Sequence, residues 1–295
     1  MGPLHLVIQA LILGLLTGGV YALMASGLTL AFGVMRVINV AQGAMIVAGA
    51  YVSYTLFTDF HIDPFVSILL MTPAAFAVGV VLQLVFIRPL RSDEREELSL
   101  LVTWAIALGF EGVLSVIYTT TYRATLPSYV NDTITVGSYR IAVVRLAAFG
   151  VSCVILGALY LVLHHSRLGR SIRATVQNPT SARLLGVDAE RVSAYGFGLS
   201  VATATAAGAV FGMVEPFNPG SHYDLISRLL TIIVLGGLGS LTGAVVAALV
   251  MGVSEALLAA TISPTWSSMV FFVVLIAVLV VRPQGLFGAT ERGRL

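Results

Sequence analysis

Two carboxylates, Glu111 and Glu255, sit inside long apolar runs of a chain that keeps most of its other charges between such runs. A carboxylate at membrane depth costs about 2.5 kcal/mol or more unless it is paired, protonated or wetted. Each is therefore a candidate for proton or solute coupling, with burial against a partner subunit as the structural alternative. Two polar breaks come next. Gly33-Val-Met-Arg-Val-Ile-Asn-Val-Ala-Gln-Gly43 interrupts a hydrophobic region, and non-helical backbone at membrane depth persists only where protein or water satisfies it. Asn39, Gln42 and the amides near Gly43 are candidates to line a solute path, a half-helix N-terminus attracting a carboxylate. The plainer reading is a capped turn. Gly236, Gly237, Gly239 and Ser240, within Gly236-Gly-Leu-Gly-Ser-Leu-Thr-Gly243, form the matching candidate, expected on the other side.

Several other chemistries are excluded. The 16 cationic side chains are all Arg, so there is no Walker A lysine to cradle nucleotide phosphates and no Schiff-base lysine. The single cysteine, Cys153, rules out an intrachain disulfide and reads as core packing. His5, His61, His164, His165 and His222 show no metal-ligand spacing, so neither a metal nor a cofactor is expected. Ser240 next to Gly239 suggests an intramembrane hydrolase, but no histidine lies within a span to activate it.

One segment is built differently. Ser166 to Gly186 is the only long polar, cationic, helix-forming stretch between apolar spans. Leu168 to Gln177 reads as a short helix; Asn178 then stops it and caps a second, with Pro179 at the first helical position. Gly186 is placed to terminate that second helix in the left-handed conformation. Two short helices at an angle, carrying Arg167, Gly169, Arg170, Arg173 and Arg183 around Leu184 and Leu185, make a compact knob for docking. Anchoring to anionic lipid is the alternative. No sequence feature calls for nucleic acid.

The elements that position these residues are membrane spans. The chain is 58% hydrophobic and 10% charged, with a mean hydropathy of +0.97, far from a soluble domain with about a quarter of its residues charged. Apolar runs fall at about 4–32, 41–57, 64–87, 98–118, 143–163, 192–214, 225–260 and 266–281. This predicts an all-α polytopic protein of about eight transmembrane helices plus a broken or re-entrant glycine-rich segment. The first run has no Lys or Arg before it and reads as a retained span. The seventh is 36 residues long, roughly 54 Å as a helix and too long for one crossing. If the 166–190 loop is cytoplasmic, the positive-inside rule puts 12 of the 16 arginines on that side. The N-terminus then lies outside, and the seventh run is a hairpin with both ends outside. Thr133 to Ile141 alternates around Gly137-Ser138, which predicts a small β-hairpin with a type II′ turn. The pairs Gly14/Gly18, Gly208/Gly212 and Gly239/Gly243 permit close helix contact.

Taken together, these residues resemble the permeases of branched-chain amino-acid ABC importers of the LivH type. Gly18-Gly-Val-Tyr-Ala-Leu-Met-Ala-Ser-Gly-Leu-Thr-Leu30, Arg36-Val-Ile-Asn-Val-Ala-Gln-Gly43 and Gly49-Ala-Tyr51 are similar to that family's opening. Leu168-Gly-Arg-Ser-Ile-Arg-Ala174, Asn178-Pro and Ala182-Arg-Leu-Leu-Gly-Val187 are similar to its coupling region, and Leu235-Gly-Gly-Leu-Gly-Ser240, Gly243-Ala and Arg282-Pro-Gln-Gly-Leu-Phe-Gly288 to its C-terminal half. One departure is Gln42, where many relatives have histidine. The resemblance implies one permease domain over 1–295, with loop 166–190 seated in an ATPase groove. It also implies a second permease subunit of the LivM type, two ATPase subunits, an extracytoplasmic solute-binding protein and a place in the bacterial cytoplasmic membrane. Relatives also serve urea and short amides, and a proton-coupled secondary transporter remains the alternative from another class.

Overall fold

The computed structural model describes residues 3–35, 37–90, 95–137, 139–282 and 285. Arg36, Arg91, Ser138 and the arginines of the C-terminal tail, Arg292 and Arg294, lie outside the described residues. Among the described residues twelve α-helices follow in order: α1 (Pro3–Met35), α2 (Gln42–Phe60), α3 (Pro64–Leu82, continued by a π-helical turn, Gln83–Ile87), α4 (Arg95–Tyr118), α5 (Val143–His165), α6 (Arg167–Gln177), α7 (Pro179–Leu184), α8 (Ala189–Val214), α9 (His222–Gly236), α10 (Leu241–Thr261), α11 (Pro264–Ser267) and α12 (Met269–Val281). The starts are written in the sequence. Asp63 accepts a hydrogen bond from Phe65 N at 2.9 Å ahead of Pro64. Asp188 accepts from Glu190 N and Arg191 N at the head of α8. Between α4 and α5, β1 (Thr133–Val136) and β2 (Tyr139–Ala142) pair antiparallel with Val136 opposite Tyr139, the register expected. Gly137 has φ 63°.

Helix α8 is the hub. Most of its residues are buried, and it is built from Ala, Gly, Ser and Thr. In a bilayer lipid tails are as apolar as leucine, so close packing of small residues replaces the hydrophobic effect between helices. Gly208 on α8 lies against the Ile46 carbonyl of α2, closely enough that a methyl group would overlap it, and Gly49 of α2 lies against Thr205. Gly14 and Gly18 of α1 meet Val253 and Leu249 of α10, which runs antiparallel to it. The outward faces are the reverse: Leu69 is 75% exposed, Val116 85% and Val280 79%, an apolar exterior suited to lipid.

Seven helical stretches among the described residues are long and apolar enough to cross a membrane. The predicted second span is present as α2, but its Gln42, Ser53, Thr58 and Asp59 make it more polar than those seven, and its first half is packed inside the bundle. The predicted seventh run is broken, as its glycines required, into α9 and α10. At 15 residues, α9 is only about 22 Å long. Cys153 is exposed on α5 rather than in the core; in a membrane protein the outside of a helix is as apolar as the inside, so hydropathy did not reveal its direction.

Candidate functional site

The knob folds as its capping residues dictate. Ser166 Oγ accepts from Gly169 N at 2.9 Å to start α6, and Asn178 Oδ1 accepts from Ser181 N at 3.0 Å to start α7. Gly186 follows α7 at φ 82°, and Gly186 N donates to the Arg183 carbonyl at 3.0 Å. Ile172, buried on α6, packs with Leu163 of α5, Leu30 and Val34 of α1 and Val192 of α8. The arginines divide into two groups. Arg170 Nη1 donates to the His165 carbonyl and Arg173 Nη2 to the His164 carbonyl, both at 3.1 Å. They cap the end of α5, where the helix dipole favours cations. Arg167 and Arg183 are exposed and make no ion pair among the described residues. At the tip, Leu184 and Leu185 are 85% and 82% exposed.

The first break is closed in this conformation. Asn39 and Gln42 have no exposed surface. Asn39 Nδ2 donates to Gln42 Oε1 at 3.3 Å, and Ser200 Oγ donates to the same oxygen at 3.1 Å. Ser200 lies near the middle of α8, so α2 begins inside the bundle. The His222 carbonyl lies against Gly43, which brings the start of α9 to the same place. A path at Asn39, Gln42 and Gly43 requires α8 or α9 to move. Asn39 Oδ1 is buried without a partner among the described residues.

The second break is not on the other side. Gly237 and Gly239, at φ 88° and 82°, turn the chain from α9 to α10, and Ser240 Oγ caps α10 by accepting from Gly243 N at 3.1 Å. Gly239 packs against Gly33, at the C-terminal end of α1. With Gly33, Leu163, Ile172 and Arg173 it borders a cavity of about 260 Å3 beneath α6. The expected opposition fails because α1 and α10 are antiparallel: the end of one meets the start of the other. Gly236 closes against Gly243.

Both intramembrane carboxylates are paired. Glu111 Oε2 lies 3.0 Å from His222 Nε2 and accepts from Tyr223 OH at 2.8 Å. Glu255 accepts from Arg228 Nη1 at 2.6 Å and from Tyr21 OH at 2.8 Å. Arg228 also donates to Asp224 at 2.8 Å and to Ser268 Oγ at 3.0 Å, with its guanidinium 5.3 Å from the Phe271 ring centre. These partners were missed in the sequence. Arg228 lies within the apolar run 225–260 and His222 just before it; only knowledge of which helices meet brings them in. Among the described residues no group of three His, Cys, Asp or Glu is placed to hold a metal ion.

Apolar helices that carry Glu111 and Glu255 as paired carboxylates, with a capped polar knob at one end, define a multi-pass membrane protein. The chain belongs to the family described as branched-chain amino acid transport system / permease component, which it matches over residues 10–279. It is 31% identical to the high-affinity branched-chain amino acid transport system permease protein LivH of Salmonella typhimurium, over 96% of both chains. It is 29% identical to the permease protein BraD of Pseudomonas aeruginosa over 99% of both, and 27% identical to a probable LivH of Methanocaldococcus jannaschii over 90% of this chain and 88% of that one. A solved chain of PsaBC from Streptococcus pneumoniae in complex with Fab shares the fold at a TM-score of 0.50, with 12% identity, over 92% of this chain and 91% of that one. The protein is thus a transport subunit and not an enzyme. Membership in an ABC permease family implies separate ATPase and solute-binding partners.

Proposed function

We propose that this chain is the permease through which an ATP-driven importer carries branched-chain amino acids across a bacterial cytoplasmic membrane. It stands beside a second permease of the LivM type, with two ATPase subunits on the face bearing α6 and α7 and a binding protein on the opposite face. The observation that carries the reading is the family match over nearly the whole chain, together with a rigid knob that presents Leu184 and Leu185 beyond the bundle. An apolar tip beside Arg183 suits an ATPase groove, and the packing of α6 against α1, α5 and α8 gives such a partner a lever on the bundle. Glu111 is paired with His222 and Glu255 with Arg228, so neither carboxylate needs a proton-coupling role to account for its depth.

Stimulation of ATP hydrolysis tests this. In the complete importer, leucine-loaded binding protein should raise the ATPase rate severalfold over unloaded binding protein. Equal rates with loaded and unloaded protein would defeat the cargo assignment. Failure of the ATPase subunits to co-purify with the permease would defeat the wider reading.

A further inference from the structure

At the end of the bundle opposite α6 and α7, the first turns of α1, the second half of α10, the start of α5, α11 and Glu215 just after α8 line an open cavity of about 580 Å3. That lies within the roughly 300–1,000 Å3 of small-molecule sites. Its wall is largely apolar, with Leu6, Leu13 and Ala259 among the lining residues, and three charged side chains border it: Arg145, Glu215 and Glu255. Glu255 is already answered by Arg228 and Tyr21. The other two are not. Arg145 donates to Thr17 Oγ1 at 3.3 Å and makes no ion pair, and the half-buried Glu215 carboxylate makes neither a hydrogen bond nor an ion pair among the described residues.

A partly buried charge that no opposite charge touches carries a desolvation cost that a contacting partner would offset. Here one cation and one anion border the same apolar space without touching each other. A lipid tail would fill the space and give neither charge a contacting partner of opposite sign. A molecule with one carboxylate, one ammonium and a short hydrocarbon side chain would satisfy the guanidinium, the carboxylate and the apolar wall together. Burial also pushes the Glu215 carboxyl above its ordinary range, with Arg228 and Arg145 pulling the other way, and an added ammonium would relieve that penalty.

We infer that this cavity is a receiving site for a zwitterionic amino acid with an apolar side chain, in which Arg145 holds the carboxylate and Glu215 the ammonium. The inference rests on the proposed transport function and adds where on this subunit the solute is first held. Arg145 lies some 20 residues before the end of α5, about 30 Å from the knob, at the end where a binding protein would deliver.

The test uses the complete importer in vesicles without binding protein. Cys153, the only cysteine, is replaced by serine, Ala259→Cys is introduced, and the rate of maleimide labelling is followed. The probes are leucine, leucinamide (no carboxylate) and 4-methylpentanoate (no ammonium). Leucine should protect, and each analogue should need about tenfold more for equal protection, the scale of one charge-assisted contact. Arg145→Gln should raise the half-protecting leucine concentration about tenfold, and Arg145→Lys should restore part of it. Should Arg145→Gln fail to assemble, Glu215→Gln carries the same test and should erase the preference for leucine over 4-methylpentanoate. Equal protection by all three probes, or none by leucine in vesicles that import leucine normally when binding protein is added, would overturn the site. Protection by leucine in vesicles that never import it would instead uphold the site and sink the transport reading.

Discussion

Glu255→Ala should destabilise the protein before it does anything else. The Glu255 and Arg228 side chains are 14% and 13% exposed and joined at 2.6 Å. Removing one partner of a buried pair costs about 3–5 kcal/mol, because the other is left uncompensated. Arg228 keeps Asp224, which is half exposed, and Ser268, so the lower bound applies: about 3 kcal/mol. At about 2–4 °C per kcal/mol that is a drop of roughly 6 °C or more in the melting temperature, read by tryptophan fluorescence on the complex in nanodiscs. The double variant Arg228→Leu, Glu255→Leu should recover more than half of the loss, since both charges leave together. A Glu255→Ala variant that melts like the wild type yet transports nothing would refute the reasoning: the carboxylate would then be doing chemistry, and proton coupling would return.

Leu184→Asp combined with Leu185→Asp should leave the amount of permease in the membrane unchanged and abolish co-purification of the ATPase subunits; their retention would return the knob to a lipid anchor. Gly208→Ala should push α2 off α8, since the added methyl overlaps the Ile46 carbonyl. A cost of about 1–3 kcal/mol is expected, visible as a lowered melting temperature. Glu215→Gln should stabilise the protein in a pH-dependent way. Burial raises the Glu215 carboxyl in the fold, so the folded state holds this proton more tightly than the unfolded state. The penalty is absent below the unfolded value of about 4.3, grows as pH rises toward the folded value and is constant above it. The variant should therefore melt higher than wild type at pH 8, with the difference vanishing near pH 4.

What the sequence disclosed was local. Asn178, Pro179 and Gly186 announce the second helix of the knob because capping is decided within three or four residues, whereas the Ser166 cap that starts α6 was not singled out. The break between α9 and α10 was likewise visible, since glycine supplies the positive φ of Gly237 and Gly239 at no steric cost. Glu111 and Glu255 stood out by the cost of their depth. Their partners did not, because His222 is 111 positions from Glu111 and Tyr21 is 234 from Glu255, and no periodicity encodes which helices meet. The same reason explains the misplaced glycine turn. Arg170 and Arg173, read as docking charges, stay exposed while also donating to the carbonyls at the end of α5, and that second role was not legible because it depends on how α6 folds back on α5. Arg145 and Glu215 carry no motif, and only the cavity between α1, α5 and α10 unites them.

Concentrative uptake decides the central claim most directly. Vesicles holding both permeases, the ATPase subunits and internal-face ATP should accumulate leucine against its gradient when loaded binding protein is supplied. Vesicles lacking only the ATPase subunits should accumulate none, with or without a proton gradient; accumulation by this permease without them would contradict the claim that its motor is a separate molecule.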